Sequence, residues 1–348
     1  MARTAQWKHY ALRLAEAFPL GTLHPRSVAW AEAHGDERWG VAFSGGCDSV
    51  ALLLAVWAHF PSQRGRLVAF HFDHRLRGRE SSRDAAFCRS VCASLGVRFV
   101  LGRWASAERG ASEGEAREAR LAFLDREGGR RKVRAFWFGH HADDVAETML
   151  MRLSRGSGTA GLAAPRPVQP MPGGRTHVRP LLNCRKRGMV EALRAAQIPW
   201  RDDQSNLGAD YFRNRVRLRV IPAWLKASGR DAVGGALLSR ERLEEDDQAL
   251  EAWTDSLRVL TPAGALRLAP LKGAPRAVVR RALHRWLGAQ MQAGTLSRQG
   301  FDALLRAVER ASPTRHSLGA QGFAVIKAGL LRFVLARTGR RMKSQDAR

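Results

Sequence analysis

The chain has 348 residues, 45% of them hydrophobic, and carries 58 lysines and arginines against 32 acidic residues, a formal net charge of +26. So much apolar material excludes a disordered chain and a disulfide-stapled miniprotein, and the length favours two domains over one. The excess of positive charge makes nucleic acid or an anionic membrane surface the leading partner, because phosphate contacts release condensed counterions; charge kept for solubility is the plainer alternative.

No apolar run approaches the ~20 residues of a membrane-spanning helix, and the first residues lack a signal peptide's apolar core, so a soluble, unexported, cytoplasmic protein is expected. The four cysteines, Cys47, Cys88, Cys92 and Cys184, form no Cys-x-x-Cys pair. Reduced, packed thiols are expected rather than a zinc site.

From Trp39 to about Leu153, short Val- and Phe-rich runs alternate with helical patterns. The runs Gly40–Ser44, Leu67–Asp73, Val97–Gly102 and Arg134–Gly139 read as strands, and Asp48–Phe60, Ser82–Leu95, Ser112–Glu127 and Ala142–Leu153 as helices. Ser112 with Glu115 three residues on is a capping-box pattern that sets the third helix's start. Strands alternating with helices predict an α/β fold with a parallel sheet, whose ligands gather at the carboxyl ends of the strands. A Gly- and Pro-rich loop follows Gly156, then a helix near Arg185–Gln197 and a basic segment, Arg213–Arg219. Beyond it lie an acidic helix through Glu241–Glu251, a helix near Pro275–Leu287 with Trp286 on its apolar stripe, a helix after Ser297 and a terminal β-hairpin over Gly322–Leu335. The expected domains are an N-terminal helical extension (1–35), a catalytic domain (36–224) and a smaller, mainly helical nucleic-acid-binding domain (225–348).

Directly after the first strand stands Ser44-Gly45-Gly46-Cys47-Asp48-Ser49, followed by a helix. Two glycines let backbone N–H groups turn inward and the helix adds its positive end, which favours an anion such as phosphate. The loop lacks the lysine of the Gly-Lys-Ser/Thr phosphate loop and has an aspartate instead. Beside polyphosphate an aspartate is sensible with a divalent cation between them, so Asp48 reads as a Mg²⁺ ligand; a turn followed by a helix cap is the alternative.

This loop resembles the signature of the PP-loop pyrophosphatase superfamily, whose members cleave ATP between the α and β phosphates to adenylate a carbonyl. Further motifs follow in order: His71–Arg77, Gly139–Thr148, Arg155–Gly158 with Gly161-Leu162, Arg179–Leu182, Asp203–Asn206 and Arg213–Arg217. Together, from about Trp39 to Trp224, they resemble the bacterial tRNA(Ile)-lysidine synthetase family. Departures are small: Cys47 at the variable loop position, expected to make the loop sensitive to thiol reagents, and Arg75 with Gly78-Arg79 around the second-strand motif. The further C-terminal domain of the family's longer members is expected to be missing.

The resemblance implies adenylation of the C2 oxygen of the wobble cytidine in a CAU-anticodon isoleucine tRNA, then displacement of AMP by the ε-amine of free L-lysine. It implies that Ser44, Gly45, Gly46, Cys47, Asp48, Ser49 and Gly139 hold ATP and Mg²⁺, with His71 and Phe72 at the adenosine. A buried strand end is the alternative for Phe72. His140, Asp144 and Glu147 are spaced to share one helix face. Asp144 and Glu147 suit lysine's ammonium or α-amino group, and His140 the proton lost on attack; a helix-start aspartate and a solvated glutamate are the alternatives. A tension follows, because carboxylates hold an ε-amine protonated while the attacking form is neutral. Arg117 and Arg120 resemble family arginines near the nucleotide and the modified base, with salt bridges to Glu113, Glu115 or Glu118 as the competing reading. Arg213, Asn214, Arg215 and Arg217 are assigned RNA contact or closure over the site. No protein partner is implied; a homodimer is left open. The rival readings are a PP-loop tRNA thiolase, disfavoured by the lack of Cys-x-x-Cys, and a catalytically silent RNA-binding protein, disfavoured by intact Asp48, Asp144 and Glu147.

Overall fold

The computed structural model describes residues 2–74, 79–104, 112–201, 211–290, 296–319 and 322–336. It divides into two compact units, Met1–Glu244 and Glu245–Arg348.

The first unit is built on six strands: β1 (Arg38–Ala42), β2 (Val68–Asp73), β3 (Arg98–Arg103), β4 (Val133–Trp137), β5 (Val168–Pro170) and β6 (Thr176–Val178). Their order is β3-β2-β1-β4-β6-β5; all pairs are parallel except β5 on β6. The chain builds outward from β1 to β3, then crosses back to place β4 on the other side of β1. That reversal opens a crevice at the carboxyl ends of β1 and β4.

Both sheet faces are covered, which is why the strands read as nearly continuous apolar runs. On one face Trp39, Val41 and Ala69 pack with α1 (Ala2–Ala17), α2 (Pro25–Ala33), α3 (Cys47–His59), α4 (Arg79–Leu95) and α8 (Lys186–Ala195). α3 is buried over every residue from Ser49 to Trp57. On the other face Val68, Phe70, Val100 and Phe136 pack with Phe123 and Leu124 of α5 (Glu113–Arg130). α5 starts at the expected box, the Ser112 N–H donating to Glu115 at 2.8 Å and the Glu115 N–H to Ser112 Oγ at 3.2 Å.

α6 (Ala142–Leu153) is followed by the single turns α7 (Thr159–Leu162) and α9 (Phe212–Arg215), a π-helical turn over Val216–Val220, then α10 (Ile221–Ser228) and α11 (Ala232–Ser256). Ala142, Ala146 and Met149 of α6 pack with Val233 and Ala236 of α11 and with Ile221, Trp224 and Leu225 of α10. The unit therefore extends to Glu244, past the expected break at 224, because α10 and the first turns of α11 cover α6.

Within the second unit, β7 (Leu266–Arg267), β8 (Thr314–Ser317), β9 (Gly322–Lys327) and β10 (Leu330–Leu335) form an antiparallel sheet in the order β7-β10-β9-β8. It packs with α12 (Arg276–Gln290) and α13 (Arg298–Glu309) around Trp286, which is fully buried and donates its indole N–H to the Gly264 carbonyl at 3.0 Å. Ala328 and Gly329, both at positive φ, make the turn of the expected hairpin. Of the arginines on α12, Arg281 pairs with Asp247 and Glu251, and Arg285 with Glu251 and Asp255. The acidic end of α11 neutralises them. Among the described residues no helix is long and apolar enough to cross a membrane.

Candidate active site

The loop between β1 and α3 is shaped by Gly45, whose φ is +90° and whose missing Cβ would lie 2.9 Å from Cys88 Sγ. Conformation and space both demand glycine there. Ser49 Oγ accepts the Gly45 N–H at 3.0 Å and donates to the Gly46 carbonyl at 3.0 Å, with Ser44 Oγ 3.1 Å away. Gly46 caps α3, so the first-turn N–H groups of that helix open toward the crevice. From the neighbouring strand, Gly139 fits against the loop because a Cβ there would meet the Asp48 carbonyl oxygen at 2.8 Å.

Asp48 stands in the first turn of α3 and meets a lysine from elsewhere in the sequence. Lys186 Nζ donates to Asp48 Oδ1 and Oδ2, each at 2.6 Å. Burial pulls the Lys186 ammonium down, but the Asp48 charge and hydrogen bonds outweigh it and leave its pKa raised. α8 is tied to α6 at the same point, where the Lys186 backbone N–H donates to Asp143 Oδ2 at 2.8 Å.

His141 precedes α6 and is buried among three carboxylates, 3.8 Å from Asp48, 3.4 Å from Asp143 and 3.5 Å from Asp144. Burial opposes its charged form, yet these neighbours raise its pKa. Its backbone N–H donates to Asp144 Oδ2 at 3.0 Å. Burial likewise opposes the Asp144 carboxylate; His141, Arg213 and that N–H outweigh it and hold Asp144 well below the usual carboxylate range. His140 behaves oppositely: burial, helped by Arg179, Arg213 and Arg120, pushes it far down and keeps the imidazole neutral. Its Nδ1 is buried and has no hydrogen-bond partner among the described residues.

Asp144 and Glu147 share one face of α6 as their spacing predicts, and they meet the basic segment. Arg213 donates to Asp144 Oδ1 at 2.6 Å and to Glu147 Oε2 at 2.8 Å. Arg217, one turn on, donates to Glu147 at 2.6 and 3.0 Å. Two carboxylates and two guanidiniums thus form one alternating quartet. Of this segment, Arg213 and Arg217 turn onto α6, Asn214 is buried and Arg215 is exposed. The helical spacing that aligns Arg213 and Arg217 delivers both to the carboxylates of α6.

His71 and Phe72 alternate across β2 and point to opposite faces. The His71 ring pairs with the Phe43 carbonyl through Nδ1 at 2.9 Å, while Phe72 packs on Phe123 with ring centroids 5.3 Å apart. Arg117 and Arg120 lie on α5. Arg120 acts on His140, whereas Arg117 acts on Arg152 and Arg179. Burial favours the protonated thiols: it pushes Cys92 and Cys184 up to about 12, Cys88 higher still, and Cys47 up with help from Asp48. The motif residues Arg75–Arg77 and Asp203–Asn206 lie outside the described residues.

Sequence reasoning missed Lys186, His141 and Asp143. The second histidine of Gly-His-His, just ahead of two aspartates, was a usable signal for a charged helix start. Nothing local marks Lys186.

Residues 23–224 match the family model of the PP-loop domain, which implies ATP binding. A tRNA(Ile)-lysidine synthase of Polaromonas naphthalenivorans is 34% identical over 283 residues, covering 80% of this chain and 83% of that protein. The chain belongs to the tRNA(Ile)-lysidine synthase family. Relatives of the same name from Solibacter usitatus (36% identical, 79% of this chain) and Symbiobacterium thermophilum (34%, 81%) are longer, and the chain spans 61% of the length of each. Among solved structures, a U34-tRNA thiolase of Methanococcus maripaludis superposes with a TM-score of 0.52 at 16% identity, over 70% of this chain and 80% of that one, a likeness of fold alone.

Proposed function

We propose that this member of the tRNA(Ile)-lysidine synthase family is itself a lysidine-forming ligase, acting in the cytoplasm on the wobble cytidine of the CAU-anticodon isoleucine tRNA with ATP, Mg²⁺ and free lysine. The observation that carries this reading is the junction of two sites at one crevice: the glycine-shaped anion loop with Asp48, and the Asp144–Arg213–Glu147–Arg217 quartet, joined through His141.

The loop residues fit a nucleotide triphosphate. Gly45 and Gly139 leave room that a Cβ would fill, the α3 N-terminus faces outward, and one carboxylate beside phosphates is the protein share that Mg²⁺ ordinarily takes. Bound there, ATP with Mg²⁺ supplies the α-phosphorus that activates the cytidine C2 oxygen. The Ser44–Ser49 loop orients the phosphates, Asp48 holds the cation, and the Lys186 ammonium moves from Asp48 to phosphate oxygen as the charge builds. Lys186 thereby replaces the lysine that the loop lacks.

The quartet suits the head of an α-amino acid, which is itself a carboxylate beside an ammonium. In this reading Arg213 and Arg217 hold lysine's α-carboxylate, and Asp144 and Glu147 its α-ammonium. The ε-amine then reaches the cytidine without a carboxylate at its own nitrogen, so the site adds no bias toward its charged form, and the neutral amine that attacks has given its first proton to solvent. Neutral His140 accepts the proton as the new carbon–nitrogen bond forms and the nitrogen becomes acidic. AMP leaves with the former C2 oxygen.

Labelled lysine supplied with ATP and a CAU-anticodon isoleucine tRNA transcript is expected to enter the RNA, with one pyrophosphate and one AMP released per lysine. Incorporation into the CAU-anticodon methionine tRNA to the same extent, or no incorporation, overturns the reading.

A further inference from the structure

One group of charges at the crevice has no substrate assigned to it above, although one of them, Arg179, helps to keep His140 neutral. Val41, Trp137 and Val178 stand in one row across β1, β4 and β6. The segments that follow carry, in the same order across the sheet, the anion loop, Gly139-His140 and Arg179. Arg179 therefore lies two strands from the loop, on the far side of His140, at a spacing of about 4.8 Å per strand.

Arg179 is only 5% exposed. It donates to the Arg166 carbonyl at 2.7 Å, sits over the Phe138 ring, and its Nε has no hydrogen-bond partner among the described residues. Among those residues the charges acting on Arg179 are Arg117 and Arg152, and those acting on Arg152 are Arg117 and Arg155, all cations. Burial and the two arginines push Arg179 down to about 10; burial with Arg179, Arg117 and Arg175 pushes His177 down to about 4. A buried cation is ordinarily paired, because an unpaired one loses its hydration without return. Arg152 leads into Arg155-Gly156-Ser157-Gly158, a motif that the reaction leaves unused, and bonds back to the Gly161 carbonyl, which fixes its place.

We propose that Arg152 and Arg179 form an anion site that holds a backbone phosphate of the RNA substrate next to the nucleotide being modified. The inference rests on the proposed RNA substrate and adds its point of anchorage. The ATP phosphates belong to the loop at β1, and this second site lies across His140 from them, where a strand of RNA laid over the reacting base carries its next phosphate. Guanidinium forks suit a phosphodiester's paired oxygens, and neutral His177 adds a hydrogen-bonding group without further charge.

The test compares Arg152→Gln, Arg179→Gln and the charge-keeping Arg179→Lys with Arg98→Gln, an exposed arginine at the opposite edge of the sheet. The readouts are the affinity of a CAU anticodon stem–loop RNA over a salt series, and the KM for ATP and for lysine. Arg152→Gln and Arg179→Gln are expected to weaken RNA binding about tenfold each and to flatten the plot of log K against log salt by about 0.7. Arg179→Lys and Arg98→Gln should keep the slope, and the KM for ATP should stay within about twofold, a change small on the free-energy scale. If Arg179→Gln does not fold, Arg152→Gln decides. An unchanged slope in a folded Arg152→Gln overturns the inference, as does weaker ATP or lysine binding with the slope intact, which assigns the arginines to those anions. A wild-type protein that binds the RNA but transfers no lysine overturns the proposed activity and leaves the slope to judge this site; one that binds no RNA overturns both.

Discussion

Lys186 Nζ donates to both carboxylate oxygens of Asp48 at 2.6 Å, joining the first turns of two helices whose residues are 138 positions apart. The contact places a cation beside the loop, and in the proposed function that cation moves to phosphate. Lys186→Gln is expected to raise the KM for ATP by about 10- to 100-fold, the loss of one charge-assisted hydrogen bond to phosphate, with Lys186→Arg retaining part of the affinity. Asp48→Asn should shift the Mg²⁺ requirement of pyrophosphate release upward instead. Initial rates over ATP and Mg²⁺ titrations separate the two, and an unchanged ATP KM in Lys186→Gln removes the lysine from the nucleotide site.

The quartet makes a prediction about substrate shape. If Arg217 holds lysine's α-carboxylate, cadaverine, which is lysine without that group, should react with a far higher KM than lysine. Arg217→Gln should raise the lysine KM by about tenfold or more, yet leave the cadaverine KM nearly unchanged. Asp144→Asn with Glu147→Gln should impair both amines while pyrophosphate release survives. Equal penalties for lysine and cadaverine in Arg217→Gln would make the pairing with Glu147 purely structural.

These contacts divide what the sequence reveals from what it hides. Ala142–Leu153 is readable to the residue because its apolar period, its aspartates and Gly-His-His all point to one helix start. The Ser44–Ser49 loop is readable because adjacent glycines between a strand and a helix have few other uses. β5 and β6 escape notice because strands of three residues, beside Gly173 and Gly174, show no period, although β6 carries Arg179 to the crevice. α11 contains the acidic stretch Glu241–Glu251 but starts at Ala232, where Gly234 and Gly235 disguise a first turn that packing on α6 stabilises. The carboxylates of α6 and the arginines of 213–217 are visible as two clusters. Their pairing belongs to the tertiary fold, as does that of Lys186 with Asp48.

Away from the crevice, Arg240 and Glu244 are 1% and 3% exposed in their side chains and pair at 2.6 Å, with Arg26 joining Glu244 at 2.8 Å. Glu244→Gln removes the charge that balances a buried guanidinium, at an expected cost of about 3–5 kcal/mol of stability. Urea unfolding measures it, and a loss below about 1 kcal/mol would show the pair to be relaxed and hydrated.

His24 caps α2, its Nδ1 accepting the Arg26 N–H at 3.2 Å, and burial with Arg240 and Arg26 pushes its pKa down to about 4. The unfolded chain, with an ordinary histidine near 6.5, binds this proton first as the pH falls. Its contribution is therefore complete above pH 6.5 and is lost between pH 6.5 and 4, amounting to about 2 kcal/mol at pH 5. His24→Asn keeps a capping oxygen and does not titrate. Its stability should drop less between pH 7.5 and pH 5 by about that amount; identical pH profiles would show His24 to be protonated in the folded protein.

The most direct test of the central claim is the chemical identity of the modified nucleoside. After incubation of a CAU-anticodon isoleucine tRNA transcript with the protein, ATP, Mg²⁺ and lysine, the RNA is digested to nucleosides and analysed by mass spectrometry. The wobble cytidine should have lost its C2 oxygen and gained lysine through the ε-nitrogen, in step with AMP release. Recovery of sulfur at C2 when a sulfur donor is present, or of unmodified cytidine despite tight RNA binding, would contradict it.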